Sequence, residues 1–210
     1  MKKIISLIFL FIVLNISAQN ATSILDKAIE AYNNSNGLNA SFTMRINYGV
    51  QGGADSFEGV VDMKGDKFTF KTPDIHLWYD GITQWTFPIQ SGEVNVNNPS
   101  ENELLASNPA IILRNYKSQF DAKYKGESTA TNGKAAYDII LTPKSRGDIT
   151  EIQLQIDKQS YLQSSIVVAT RDGGSYTIRF NEIKTNANQL DALFVFNESE
   201  YPDAEVIDLR

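Results

Sequence analysis

The sequence predicts a mainly β protein, an antiparallel sheet of about eleven strands with a few short helices. Three observations predict it. Apolar and polar residues alternate with a period of two through most of the chain after residue 40, as in strands with one buried and one solvated face. Helical spacing is confined to one segment near the start and to a short region in the middle. Turn sequences such as Asp80-Gly81 and Asp172-Gly173-Gly174 separate the alternating segments.

Residues 1–18 predict a secretory signal peptide. Two lysines precede the apolar run Ile4–Leu14, and the small residues Ser17 and Ala18 follow it. The run is shorter than the roughly 20 residues that a transmembrane helix needs, although a retained anchor is the alternative. We therefore expect cleavage after Ala18, a single domain over residues 19–210, and a protein located in the periplasm.

The composition argues against several classes of function. The net charge is −6, and the sequence contains one histidine and no cysteine. An acidic chain lacks the basic patches that nucleic acids need, and without cysteine there are neither disulfides nor thiolate metal sites. His76 lies in a predicted strand, where we expect a structural or surface role. No catalytic motif occurs, so the sequence predicts no enzyme, no metal and no cofactor, although a pair of carboxylates stays open as a hydrolase alternative.

The first predicted element is a helix over residues 22–37. Ile24, Leu25, Ala28, Ile29 and Tyr32 recur there at helical spacing. The helix is expected to begin at a Ser23 cap and to stop at Gly37.

Alternation then predicts the strands, among them a hairpin over residues 76–87. The strand segments are 40–48, 56–63, 67–71, the hairpin 76–87, 93–97, 120–126, 135–143, 149–157, 161–170, 175–183 and 193–196.

Two short helices are predicted between the strands. Ser100 and Glu103 form a capping box ahead of Leu104 and Leu105. Asn108-Pro109 then supplies a cap and a proline at the first helical position, ahead of Ile111, Ile112 and Leu113.

The apolar face of such a sheet has only three short helices to cover it. The sheet could pack on itself without a void and form a filled core, or it could curl into a barrel-like shell around an apolar cavity. The pattern alone leaves both solutions open. Residues 67–87 nevertheless contain six aromatic side chains, including both tryptophans, so the aromatic surface is concentrated in three strands.

Several short motifs occur in an order that resembles a known family. They are ASFT at 40–43 after the first helix, EGVVDMKGDKFTF at 58–70, Tyr79-Asp80-Gly81 followed by Trp85, the inserted helices at 100–113, IILTPK at 139–144, and the C-terminal LFVF at 193–196 followed by Pro202 and residues 206–208. Together they resemble the periplasmic outer-membrane lipoprotein carrier family, LolA, over essentially all of residues 19–210.

The resemblance implies an unclosed antiparallel β-barrel with a helical lid over an apolar cavity. It implies a monomeric carrier or chaperone that shields lipoprotein acyl chains, receives lipoproteins from an inner-membrane lipoprotein-releasing transporter and passes them to an outer-membrane acceptor. A related binding protein for another amphiphile, such as a glycolipid or a polyene, is the alternative, and a secreted β-domain with a filled core is a third. The residues expected to line the cavity and lid are Phe42, Met44, Ile46, Phe57, Val61, Met63, Phe68, Phe70, Trp78, Trp85, Phe87, Leu104, Leu105, Ile111, Ile112, Ile152 and Leu154.

One turn departs from the family pattern. Where the family carries an Arg-Pro pair, this chain reads Lys64-Gly65-Asp66-Lys67. Lysine cannot make the planar, bidentate contacts of arginine. We therefore expect Lys64 or Lys67 to hold the lid weakly, through carbonyl groups that end the inserted helices, and we expect apolar packing to control opening.

Overall fold

The computed structural model describes residues 20–100, 103–104 and 112–210, without the side chains of residues 114–115. Two helices are described over a longer range, α1 at residues 20–33 and α2 at Ile112–Gln119, and residues 103–104 are also helical. The strands are β1 (Leu38–Asn47), β2 (Ala54–Lys64), β3 (Lys67–Lys71), β4 (Ile75–Tyr79), β5 (Gln84–Pro88), β6 (Glu93–Asn97), β7 (Phe120–Thr129), β8 (Ala135–Pro143), β9 (Ile149–Asp157), β10 (Gln163–Thr170), β11 (Ser175–Thr185) and β12 (Glu205–Asp208).

The strands form one sheet in the order β12-β6-β5-β4-β3-β2-β1-β11-β10-β9-β8-β7. The pairings from β2 to β6 and from β7 to β10 are antiparallel. The predicted mainly β, unclosed fold is therefore confirmed. One pair, β12 with β6, is parallel and departs from the fully antiparallel expectation. After β11, in the middle of the sheet, the chain passes to the outer side of β6, and β12 runs along β6 in the same direction as the edge strand.

The chain divides into two compact units. In the part that the structure describes, the first comprises residues 20–31, Asn47–Gly53 and Ile112–Thr177, and the second comprises the remaining residues. Strands β7 to β10 belong to the first unit, and β2 to β6 and β12 belong to the second. The predicted single domain over residues 19–210 stays a prediction.

The core of the first unit follows the alternation read from the sequence. The register places Ile139 opposite Leu154 and Leu141 opposite Ile152, so these four side chains share one face. All four are at most 1% exposed. Gln153, between Ile152 and Leu154, lies on the other face and is exposed.

A polar contact ties the two helices of this unit together. The Tyr116 hydroxyl donates a hydrogen bond to Asp26 at 2.9 Å, and the Lys117 ammonium lies 2.8 Å from the same carboxylate. The hydrogen bond from Lys117, opposed by partial burial, holds the pKa of Asp26 below its usual value.

Two local predictions are confirmed in detail. The hairpin turns at Asp80-Gly81, where Gly81 has a φ of 105° and the Asp80 carboxylate accepts the backbone N–H groups of Ile82 and Thr83, each at 2.8 Å. The capping box forms, since Glu103 accepts from the Ser100 backbone N–H at 2.7 Å while the Ser100 hydroxyl accepts from the Glu103 backbone N–H at 3.4 Å.

Other local predictions are wrong. Ser23 lies inside α1 rather than at its start, and α1 ends at residue 33, before Gly37. Residues 193–196 do not form a strand. A 3-10 helix, Asp191–Phe194, occupies part of that segment instead, because its aromatic side chains are used for packing outside the strand ladder.

The signal peptide at 1–18, Leu105, the Asn108-Pro109 cap and Ile111 lie outside the described residues. Within the described ranges, none of the helices has both the length and the apolar character needed to cross a membrane.

Candidate ligand-binding surface

The register of the second unit separates its aromatic residues onto two faces. In β3 and β4, Phe68 is paired with Tyr79 and Phe70 with Leu77. In β4 and β5, Trp78 is paired with Trp85. Directly paired residues share a face, whereas neighbours along a strand point in opposite directions. The face that carries Phe68 and Phe70 is called the phenylalanine face, and the opposite one the tryptophan face.

The phenylalanine face has an aromatic stack at its centre. The rings of Phe42 and Phe70 lie 5.0 Å apart with an interplanar angle of 21°. Gly59 of β2 makes this stack possible. A Cβ atom at Gly59 would collide with the Phe42 ring and would lie 2.6 Å from the Lys71 carbonyl oxygen. A glycine inside a strand often marks such a close approach.

Part of this face is buried and part is accessible. Phe42, Val61, Met63 and Phe68 are buried. Phe57 and Phe70 keep partial exposure, as do Met44 and Ile46, which share the strand face of Phe42 by alternation. These eight are sequence-predicted site residues, so the structure brings them onto one face with an accessible apolar portion.

The tryptophan face is covered by the protein itself. Trp78 packs edge to face against Phe196 at 5.3 Å and against Tyr201 at 5.5 Å, and Phe87 packs against Tyr201 at 5.2 Å. Trp85 lies against the same cluster. The structure therefore differs from the expected single lining. Trp78 and Phe87 contact residues 186–204, which we call the C-terminal segment, and Trp85 packs against the cluster that includes them.

Polar contacts anchor the start of the C-terminal segment. Lys64 and Lys67 lie 3.0 and 2.7 Å from the two carboxylate oxygens of Asp191. Lys64 also donates to the Gln189 carbonyl oxygen at 2.7 Å, and the Gln189 side chain donates to the Leu38 carbonyl oxygen at 2.8 Å. Hydrogen bonds from Lys67 and Lys64 lower the pKa of Asp191. The partners that the structure gives these lysines thus differ from the expected carbonyl groups of the inserted helices.

His76 takes part in the same covering contact. Its Nδ1 lies 3.0 Å from the Tyr201 hydroxyl oxygen, and its ring lies edge to face with Trp78. Burial, with a smaller effect of Lys71, lowers the pKa of His76. This environment supports the structural role expected for the single histidine.

The remaining predicted site residues lie elsewhere. Ile112, Ile152 and Leu154 are buried in the first unit, where Ile152 and Leu154 are fully inaccessible. Leu104 is half-buried. Sequence reasoning did not find the covering role of the C-terminal segment. The available signal was its own aromatic content, Phe194, Phe196 and Tyr201 within eight residues of a tail otherwise rich in Asp and Glu.

The described chain thus combines a mostly antiparallel open sheet with a partly exposed aromatic face. The chain belongs to the family described as outer membrane lipoprotein carrier protein LolA, whose model matches residues 12–174. Proteins of this family are periplasmic carrier and binding proteins. The C-terminal segment lies beyond the matched residues.

The fold has counterparts among solved structures. An uncharacterized conserved protein from Thermus thermophilus aligns with a TM-score of 0.62 at 14% identity, over 90% of this chain and 99% of that chain, and supports the architecture. A putative outer membrane lipoprotein-sorting protein domain from Vibrio parahaemolyticus aligns with a TM-score of 0.48 at 11% identity, over 88% and 99%. A LolA superfamily protein from Nitrosomonas europaea gives 0.45 at 12%, over 84% and 97%. No protein of curated function matches the sequence significantly.

Proposed function

We propose that the protein is a periplasmic carrier that shields the acyl chains of lipoproteins against its phenylalanine face. In this proposal it receives lipoproteins from an inner-membrane releasing transporter and delivers them to an outer-membrane acceptor. Residues 19–210 act as one working domain after cleavage of the signal peptide. The observation that carries the proposal is the partly exposed apolar surface of Phe57, Phe70, Met44 and Ile46 in a chain of the LolA family.

The chemistry of this face suits a mobile hydrocarbon ligand. Its accessible side chains are aromatic or aliphatic, so they offer broad contact without requiring a fixed ligand geometry. Each buried methylene group contributes about 0.8 kcal/mol, so even part of one acyl chain supplies several kcal/mol of binding free energy. The tryptophan face cannot serve in the same way while Phe196 and Tyr201 pack against it.

The test is binding of an environment-sensitive lipid probe and its displacement by an acylated peptide. Phe70→Glu is expected to abolish probe binding, because an unpaired charge on a desolvated surface costs several kcal/mol. Trp85→Glu is the matched control, since Trp85 is also half-buried but lies on the opposite face. Phe57→Glu repeats the test at a second half-buried position, and thermal unfolding of each variant checks that it is folded.

Equal loss of binding in Phe70→Glu and Trp85→Glu, with both proteins folded, would contradict the assignment of the face. Native mass spectrometry of protein purified from periplasm identifies the cargo. A bound acylated peptide would support lipoprotein carriage. A bound glycolipid or polyene would contradict it and would show that the protein carries another amphiphile. Sequencing of the same sample is expected to begin at Gln19.

A further inference from the structure

The phenylalanine face does not stay apolar across the whole of the second unit. Two rows of directly paired residues cross it from β2 to β6. The first row is Val61, Phe70, Leu77, Thr86 and Asn95, and the second is Met63, Phe68, Tyr79, Gln84 and Asn97. Residues that are paired directly across strands share a face. Each row therefore changes from apolar to uncharged polar side chains between β4 and β5, on the same face that is proposed to hold acyl chains.

The strand that carries the two asparagines is apolar on its other face. On β6, Val94 and Val96 alternate with Asn95 and Asn97 and are buried on the tryptophan face. This strand is not the edge of the sheet, because β12 lies outside it and pairs Ile207 with Asn95. Ile207 is half-buried, so the first row becomes apolar again beyond Asn95. The polar residues thus lie within the sheet and not along a solvated edge.

The side chains of this polar part are available for contact. We call Gln84, Thr86, Asn95 and Asn97 the polar strip. Gln84 is buried and donates from Nε2 to Thr86 Oγ1 at 3.2 Å, so it joins the two rows, while the other three residues are half-buried. In the described part of the chain, the side-chain amides of Asn95 and Asn97 have no hydrogen-bond partner. Each of these amides offers two N–H donors and a carbonyl acceptor.

The charge around the polar strip favours an uncharged ligand group. All four members of the strip are uncharged. Its face continues along β6 and β12 to Glu93 and Glu205, which are paired with each other and exposed. A carboxylate or phosphate bound at the strip would lose water and gain acidic neighbours, and such a loss is costly for an unpaired charge. An uncharged polar group avoids that cost.

We propose that the polar strip binds the uncharged carbonyl group, an amide or an ester, that joins an acyl chain to the rest of its molecule. The hydrocarbon then lies beside it, on Phe70 and the other apolar members of the two rows. Side-chain N–H groups donate to the ligand's carbonyl oxygen, and side-chain carbonyl groups accept from an amide N–H. This inference rests on the proposed carriage of acyl chains and adds that the cargo is recognised in a neutral form at the root of the chain.

The first experiment measures how three octyl ligands displace the lipid probe from the protein. They are N-methyloctanamide, methyl octanoate and 1-chlorooctane, which lacks the carbonyl group. Asn95→Leu combined with Asn97→Leu is expected to weaken binding of the amide about tenfold, because one or two hydrogen bonds are lost. Binding of 1-chlorooctane should not weaken. A loss for both carbonyl ligands assigns the strip to the carbonyl oxygen, and a loss for the amide alone assigns it to the N–H group of an amide-linked chain.

The matched control is Asn34→Leu, which changes an exposed asparagine of the same unit. Thermal unfolding of each variant checks that it is folded. Equal losses for the amide and 1-chlorooctane would mean that the two asparagines act only through packing, and they would overturn the inference. Unchanged affinity for both carbonyl ligands would overturn it as well.

The second experiment reverses the preference for an uncharged group. Asn95→Lys places an ammonium group in the polar strip and is expected to raise the affinity for the octanoate ion about tenfold, as a charge-assisted hydrogen bond provides. Asn34→Lys, which adds the same charge at an exposed position, should leave that affinity unchanged. A folded Asn95→Lys protein without this gain would show that the polar end of the ligand does not lie at the strip.

Failure of this inference can be told apart from failure of the proposed function. If 1-chlorooctane displaces the probe but the strip variants change nothing, acyl-chain binding stands and the role of the polar strip is overturned alone. If none of the octyl ligands displaces the probe, the phenylalanine face does not bind acyl chains and both proposals are overturned.

Discussion

The two faces of the second unit are made from the same stretch of sequence but differ in how far the rest of the chain covers them. Residues 67–87 place Phe68 and Phe70 on one face and Trp78 and Trp85 on the other. The phenylalanine face keeps a partly exposed aromatic surface, whereas the chain's own C-terminal segment packs against the tryptophan face.

The difference teaches that aromatic content does not by itself mark a binding surface. Both faces are rich in aromatic residues, yet the tryptophan face already has its partners in Phe196 and Tyr201. A surface whose apolar area is covered by its own chain contributes to stability. Ligand binding requires apolar area that folding leaves accessible.

The largest expected effect is a loss of stability when the tryptophan face is changed. Trp78→Ala is expected to lower the free energy of unfolding by about 3–5 kcal/mol, as for other large buried aromatic residues, because it empties the contact with Phe196 and Tyr201. Urea unfolding measures the loss. Affinity for the lipid probe, measured under conditions where the variant is folded, should stay unchanged. A folded Trp78→Ala protein that no longer binds the probe would break the comparison.

A smaller effect is expected at Gly59, beneath the stack of the phenylalanine face. Gly59→Ala should cost about 1–3 kcal/mol through overpacking and should also weaken probe binding, since the Phe42 ring must move. Gly147→Ala is the matched control, because no atom lies within 4 Å of the Cβ that it adds and its φ is not positive. Unfolding and probe titration are measured on both. A Gly59→Ala protein as stable as the Gly147→Ala protein would show that the close approach is unimportant.

The smallest effect is expected at Asp191, which anchors the C-terminal segment through exposed ion pairs. Its pKa is lowered by Lys67 and Lys64. The ion pairs therefore stabilise the protein fully above the ordinary aspartate pKa of about 3.9, and this stabilisation is lost as the pH falls through the lowered pKa of the folded state. Asp191→Asn should remove that part of the pH dependence.

The measurement for Asp191 is the free energy of unfolding as a function of pH. Glu198→Gln, at another exposed carboxylate of the C-terminal segment, is the control for loss of one negative charge. Hydrogen exchange of residues 189–194 should increase in Asp191→Asn at neutral pH. Identical pH profiles for Asp191→Asn and the wild type would mean that the two lysines do not hold the segment.

Much of the fold could be predicted because its signals are local. Alternation over 135–143 and 149–157 predicted β8 and β9 with their observed bounds, and Asp80-Gly81 predicted a turn that forms. The strand at 193–196 failed for the opposite reason. The segment does alternate, but its Phe196 packs against Trp78, more than a hundred positions earlier, and the local sequence does not reveal such a distant contact.

The sequence by itself determined the strand faces, the helix near the start and the family, because periodicity and ordered motifs are properties of neighbouring residues. Only the tertiary structure decided which aromatic face would be covered, which partner Lys64 and Lys67 would take, and that His76 would meet Tyr201. Each of these depends on contacts across more than a hundred residues. Such pairs form because the sheet order brings their strands and turns together, and the position of a residue in the sequence does not specify that order.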